Sequence, residues 1–206
     1  GTAMVIACGC VINNYFDKNI DAKMPRTKNR ALATGKIPDQ NALIFASVLG
    51  VLGTLLLVVF VNLLTAMIGL FGLFAYVVLY GIAKRRTVHG TLVGTISGAI
   101  PPVAGYTAVA GTIDQAAVIL FLILVFWQMP HFYAIALFRQ KDYASAKLPV
   151  LPVVKGIYIT KVHILAYIVG FGLISSLLYV YDYSGLLYLA VVLGLTVTWI
   201  YFWFKD

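Results

Sequence analysis

This 206-residue chain contains no glutamate; all 7 of its acidic residues are aspartate. Charge of either sign is scarce, at 11% of residues, against roughly a quarter in soluble domains. That scarcity excludes a water-soluble globular protein of ordinary composition. Cysteine is nearly absent as well. Cys8 and Cys10 lie too close together to bridge, and no second pair exists to build a metal site with them. They read as small packing residues. The N-terminus lacks the basic start and cleavage site of a signal peptide. Because Gly1 opens inside an apolar run, the chain is expected to begin part-way through a span.

Hydrophobic residues make up 62% of the chain. They recur in apolar runs of about 20 residues, the length that crosses a bilayer as a helix. The expected fold is therefore all-α, a polytopic transmembrane helical bundle forming a single domain over 1–206. Full spans are expected at 41–61, 65–82, 91–110, 115–138, 161–181 and 184–204, preceded by a partial span at 2–15. Polar loops are expected at 13–40, 83–90 and 139–160. The Pro101–Pro102 pair falls inside one span, where it is expected to kink or unwind the helix and to line a cavity.

Numbering the two sides of the membrane by span parity places all 15 Lys and Arg residues on one side. The other side carries Asn62, Asp114 and Asp182 and no basic residue. The positive-inside rule assigns the basic side to the cytoplasm or the mitochondrial matrix, and a bacterial cytoplasmic membrane is favoured over the mitochondrial inner membrane. The net charge of +8 is thereby a topology effect and gives no reason to invoke nucleic acid.

Polar chemistry begins where the first apolar run ends. Asn13, Asp17 and Asp21 are spaced four apart. On a helix each such step rises about 6 Å and drifts about 40°, so the three side chains form one stripe. Two carboxylates and an amide suit a hard divalent cation such as Mg²⁺, which shares its ligands with substrate phosphates. Lys18, Lys23, Arg26, Lys28 and Arg30 add more positive charge than two Asp neutralise, as a diphosphate site would need. The plain alternative is a topology signal with surface ion pairs.

A second polar stretch runs from Gln128 to Tyr143. His131 follows Trp127, Gln128 and Pro130 inside a span, where polar groups usually face a cavity. It is a candidate acid/base, porphyrin contact or proton donor, against the alternative of a capping or packing histidine. Asp142 lies between Arg139 and Lys141 and either completes the metal site or forms an ion pair. His89 and His163 read as interfacial, and Tyr76, Tyr80, Tyr106, Tyr143, Trp199 and Trp203 as belt or core aromatics.

Taken together, three blocks resemble the UbiA superfamily of intramembrane prenyltransferases. They are Asn13 to Arg30 with its NxxxDxxxD element, Tyr80 to Thr87 with Gly98 to Tyr106, and Trp127 to Pro152. Within that superfamily the likeness is narrower, to the branch that farnesylates heme B to make heme O. The resemblance implies Mg²⁺ held by Asn13, Asp17, Asp21 and Asp142. It implies farnesyl diphosphate met by Arg26, Lys28, Arg30, Lys84, Arg139, Lys141 and Tyr143. It also implies catalytic roles for Asp17, Asp21, Asp142 and His131, with heme B as the acceptor. Heme A synthase or terminal-oxidase assembly proteins are the partners it suggests. The sequence departs from that pattern at Val88 and Gly90, which replace the usual Pro and Asn, and at Lys147 and Val150, which replace Gly and Met. The resemblance implies more spans than are counted here, so the chain is expected to be a fragment. The competing enzyme reading is a prenyltransferase for an aromatic quinone precursor. Asp142 lacks the paired Asp that such enzymes carry in the later loop, with Phe138 and Ala146 at the i−4 and i+4 positions. A transporter or non-catalytic assembly protein is the reading from another class, and Mg²⁺-dependent binding of farnesyl diphosphate separates it from the enzymes.

Overall fold

The computed structural model describes residues 1–205, and the regular structure among them is helical. In chain order the elements are α1 (Thr2–Asp21), α2 (Asp39–Phe60), α3 (Leu63–Phe74), a π turn (Ala75–Tyr80), α4 (Gly81–Arg86), α5 (Gly90–Ala110) and α6 (Gln115–Phe138). The short α7 (Gln140–Ser145) and α8 (Leu151–Val154) lead into α9 (Gly156–Val180) and α10 (Leu186–Lys205). Six helical segments are long and apolar enough to cross a membrane, with α3, the π turn and α4 counting as one rod, Leu63–Arg86. They coincide with the six expected spans.

Two of the expected loops are shorter than the sequence suggested. The stretch 13–40 begins as helix, since α1 continues through Asp21. The chemistry-bearing residues at 13, 17 and 21 therefore stand on a helix, and the connection proper starts at Ala22. The stretch 139–160 contains α7 and α8, and α9 has already started at Gly156.

Neighbouring helices pack in chain order: α1 against α2, α3 against α5, then α5, α6, α9 and α10 in succession. Lipid gives little hydrophobic drive between helices, so close backbone approach and buried polar contacts hold the bundle together. A Cβ on Gly53 of α2 would lie 2.9 Å from Met4 Cβ and 3.0 Å from Val5 N of α1. A Cβ on Gly172 of α9 would meet Thr196 Cγ2 of α10 at 2.8 Å. Cys8 is buried, and its Sγ would lie 3.0 Å from a Cβ on Gly50, which fits the packing role read from the sequence.

The end of the bundle without Lys or Arg is closed by polar caps. Asn62 Oδ1 accepts from the Thr65 N–H at 2.8 Å, while Asn62 Nδ2 donates to Thr107 O at 3.0 Å. The hydroxyls of Thr65 and Thr107 meet at 3.1 Å. Asp114 caps α6 by accepting from the Ala117 N–H at 3.1 Å, and the Tyr106 hydroxyl donates to its other oxygen at 2.5 Å. The Tyr106 hydrogen bond, followed by that from Ala117, holds the Asp114 carboxyl below the usual carboxylate range.

The proline pair does not unwind its span; α5 is helical from Gly90 to Ala110 with both prolines inside it. Pro101 and Pro102 lack the N–H groups that would bond the carbonyls of Ser97 and Gly98 four residues back. Ser97, Gly98 and Pro101 line a cavity, so the expectation of a cavity at the pair is met without a break.

Replacing Gly53 by Leu is expected to wedge α1 from α2 and to cost about 1–3 kcal/mol, as overpacking of a tight interface does. Thermal unfolding of the detergent-solubilised protein measures this, and an unchanged midpoint would contradict the α1–α2 packing described.

Candidate active site

The last two turns of α1 carry the predicted stripe. Asp17 and Asp21 are only 8% and 4% exposed, and a buried carboxylate is costly unless cations and donors surround it. Three basic side chains do so. Lys84 contacts Asp17 Oδ2 and donates to Asn13 Oδ1 at 2.6 Å. Arg85 donates to Asp17 Oδ1 at 2.8 Å and to Phe16 O at 2.9 Å. Arg30 donates to Asp21 Oδ2 at 2.8 Å and to Asn14 Oδ1 at 3.1 Å.

The connection after α1 is built to return Arg30 to this point. Met24 and Thr27 are buried, and Thr27 Oγ1 donates to Asp21 O at 3.0 Å. Lys18 pairs with Asp39 at the start of α2, a hydrogen bond that raises the Lys18 pKa and ties the two helix ends together. Lys84 and Arg85 arrive from the end of the α3–α4 rod. The π turn shifts the register of α4 relative to α3. Within the turn Tyr76 stacks on Tyr80, with ring centroids 5.7 Å apart, and the Lys84 ammonium lies 5.0 Å from the Tyr80 centroid.

Two cavities of about 270 Å³ each meet at Tyr76. The first lies beside Lys84, between Tyr80, Gly94, Phe132 and Tyr143. The second runs into the apolar part of the bundle between Val5 and Gly9 of α1, Gly72 of α3, and Ile100 and Pro101 of α5. Val5 and Gly9 give α1 an apolar wall at depth and Asn13, Asp17 and Asp21 a polar stripe nearer its end; because each four-residue step drifts about 40°, the two parts are offset around the helix.

The structure brings together Asn13, Asp17, Asp21, Arg30 and Lys84, and it sets Tyr143 across the first cavity from Lys84. Arg26, Lys28 and Lys141 are exposed and form no ion pair among the described residues. Asp142 takes the ion-pair alternative, with its Oδ2 3.8 Å from Arg139 Nη1. No three His, Cys, Asp or Glu side chains among the described residues form a group able to hold a metal, so Asp142 is not gathered with Asp17 and Asp21. His131 lines a different cavity from Phe132 and Ala136, although its ring lies 5.5 Å from that of Phe132. It stacks on Trp127 at 5.5 Å in a separate cavity with Trp199 and Trp203. Arg85, Tyr76 and Tyr80 belong to the site but were not singled out by the sequence. Arg85 sits in a basic triplet that reads equally well as a topology signal, and the tyrosines read as belt residues until the π turn stacks them.

Fold and site together define an intramembrane protein with an oxygen-rich, cation-rimmed head site above an apolar cavity. The chain belongs to the UbiA prenyltransferase family, which matches residues 1–206. It is 51% identical over 201 residues to the protoheme IX farnesyltransferase of Yersinia pseudotuberculosis serotype O:1b (strain IP 31758), covering 97% of this chain and 68% of that protein. It is 48% identical over 200 residues to the protoheme IX farnesyltransferase of Protochlamydia amoebophila (strain UWE25), covering 97% and 71%. Among solved structures, a digeranylgeranylglyceryl phosphate synthase superposes with a TM-score of 0.75 at 24% identity, over 96% of this chain and 69% of that one. A UbiA homolog from Archaeoglobus fulgidus bound to GPP and Mg²⁺ gives a TM-score of 0.69 at 15% identity, over 98% and 71%. These two likenesses establish the fold.

One departure from the family pattern has a backbone signature. Lys147, at the position where the resemblance leads to an expectation of glycine, has φ +56° in the turn between α7 and α8, the left-handed region that penalises a Cβ. The substitution Lys147→Gly is expected to stabilise the protein by about 1 kcal/mol. A higher thermal midpoint would show this, and a lower one would mean the lysine side chain contributes more than its backbone costs.

Proposed function

We propose that this chain transfers a farnesyl group from farnesyl diphosphate to a vinyl group of heme B, giving heme O. The observation that carries this reading is that one helix, α1, lines an apolar cavity with Val5 and Gly9 and ends in a carboxylate–amide stripe contacted by Lys84, Arg85 and Arg30. Identity of about half to proteins named protoheme IX farnesyltransferase, over 97% of the chain, supports the choice of acceptor and prenyl donor.

The residues divide the work. The second cavity takes the prenyl chain, and the first takes the diphosphate end beside Lys84 and Tyr143. Lys84, Arg85 and Arg30 neutralise diphosphate oxygens, with Arg26, Lys28, Arg139 and Lys141 adding positive field from the same end. Asn13, Asp17 and Asp21 fit Mg²⁺, being all-oxygen donors on one helix face with two charges, and substrate oxygens fill the positions they leave. Asp142 is the further candidate ligand, once released from Arg139. Bound there, Mg²⁺ supplies charge neutralisation for the departing diphosphate. The allylic C–O bond breaks with its electron pair leaving on the diphosphate, and the bundle keeps water from the resulting cation. The Tyr76 and Tyr80 rings flank the point where that charge develops. The vinyl π electrons form the new C–C bond, and water captures the benzylic-type cation with loss of a proton, leaving a hydroxyethylfarnesyl group. His131, which lines a cavity separate from the diphosphate end, is assigned to porphyrin contact and not to that proton.

The basic end of the bundle is assigned to the cytoplasm of a bacterium, the positive-inside arrangement. Membranes containing the full-length protein, supplied with heme B, farnesyl diphosphate and Mg²⁺, are expected to yield heme O detectable by mass. Asp17→Asn is expected to lower the rate by about 10²–10³-fold. Prenylation of an aromatic acid in place of heme would move the protein to the quinone branch. Absence of both products, with no Mg²⁺-dependent diphosphate binding, would overturn the enzymatic reading.

A further inference from the structure

We propose that Lys84 is the resident counter-ion of the Asn13–Asp17 pair and that it makes metal binding and diphosphate binding depend on each other. The proposal rests on the prenyl-transfer reading of the site. The Lys84 ammonium donates to Asn13 Oδ1 at 2.6 Å and contacts Asp17 Oδ2. It therefore already satisfies two of the oxygens assigned to the metal. The Lys84 ammonium stands between Asn13 Oδ1 and Asp17 Oδ2, where a divalent ion on those two oxygens would stand. Two cations in one place repel strongly, whereas Arg85 holds the other oxygen of Asp17. Metal entry requires Lys84 to leave.

The surroundings give Lys84 somewhere to go. Its side chain lines the first cavity, beside Tyr80 and opposite Tyr143, where the diphosphate end of the substrate is placed. A flexible four-carbon stem carrying three donors can exchange carboxylate for diphosphate oxygens without movement of the helix. The backbone is held in place. A Cβ on Gly90 would come within 2.6 Å of Lys84 Cα, so α5 abuts α4 at this residue. Arg85 keeps its own bonds to Asp17 Oδ1 and Phe16 O, at 2.8 and 2.9 Å. The buried carboxylate consequently retains a partner throughout the exchange. Diphosphate draws Lys84 away and opens the oxygens to the metal, and by reciprocity the metal favours the Lys84 position that binds diphosphate.

Mn²⁺ titration of the full chain in detergent, followed by electron paramagnetic resonance with and without inorganic pyrophosphate, tests the coupling without using turnover. Wild type is expected to bind Mn²⁺ at least about tenfold more tightly when pyrophosphate is present. Lys84→Met is expected to bind Mn²⁺ about tenfold more tightly than wild type in the absence of pyrophosphate, and to lose most of the pyrophosphate effect. Arg86→Met removes the same charge from an exposed neighbour with no ion pair among the described residues, and is expected to leave both values near wild type. An equal shift in Arg86→Met would mean that general electrostatics, not the Lys84 contact, sets the affinity, and would overturn the proposal. So would a wild-type affinity indifferent to pyrophosphate, a result that needs no variant to fold. Failure to bind Mn²⁺ under any condition overturns it as well. Heme O formation by the same wild-type preparation then tells whether the prenyl-transfer reading falls with it.

Discussion

The carboxylate of Asp17 governs the layout of this molecule. It is a charge buried near the end of a membrane helix, with Lys84 on one oxygen and Arg85 on the other. A group in that position tolerates no loss of partners, because an uncompensated buried charge costs several kcal/mol. The end of the α3–α4 rod is thereby pinned to α1, and α5 follows because Gly90 abuts Lys84. Asp21 repeats the arrangement with Arg30, which draws the connection after α1 back over the helix end. Two carboxylates thus hold at one place the end of α1, the connection that follows it and the end of the α3–α4 rod, 67 residues further along the chain.

Away from that end, the bundle relies on interactions that carry no charge. Glycines let α1 approach α2 and α9 approach α10, and a small network of Asn62, Thr65 and Thr107 closes the opposite end. The division is physically sensible. Hydrogen-bonded amides and hydroxyls, with the Asp114 carboxylate as a helix cap, hold that end at modest cost, whereas Lys and Arg are confined to the end where substrate charge must be handled.

Much of this was legible in the sequence. The six spans follow from runs of apolar residues, and the Asn13–Asp17–Asp21 stripe follows from spacing alone once the segment is helical. The one-sided distribution of Lys and Arg also follows, because it needs only parity. Side-chain direction at longer range was not legible. Asp142 and His131 sit in polar stretches that look suited to a shared site, yet Asp142 pairs with Arg139 one turn back and His131 lines a separate cavity with Trp127. Arg26 and Lys28 share a basic run with Arg30, but only Arg30 reaches Asp21; the turns through Thr27 settle that choice. The π turn at Ala75–Tyr80 leaves no mark in the hydropathy of the segment, so the stacking of Tyr76 on Tyr80 could not be anticipated.

The placement of both subsites on the one helix α1 constrains how this helix can change over time. Inserting or deleting a single residue between Val5 and Asp21 would rotate one subsite from the other by about 100°. Such a change would turn either the apolar wall or the carboxylates toward α2 or lipid. Length variation within that segment is therefore closed to gradual change, whereas the connection between Ala22 and Pro38 can vary wherever Thr27 and Arg30 keep their contacts. Relatives of this chain should accordingly differ in the length of that connection and agree, residue for residue, in the number of positions along α1.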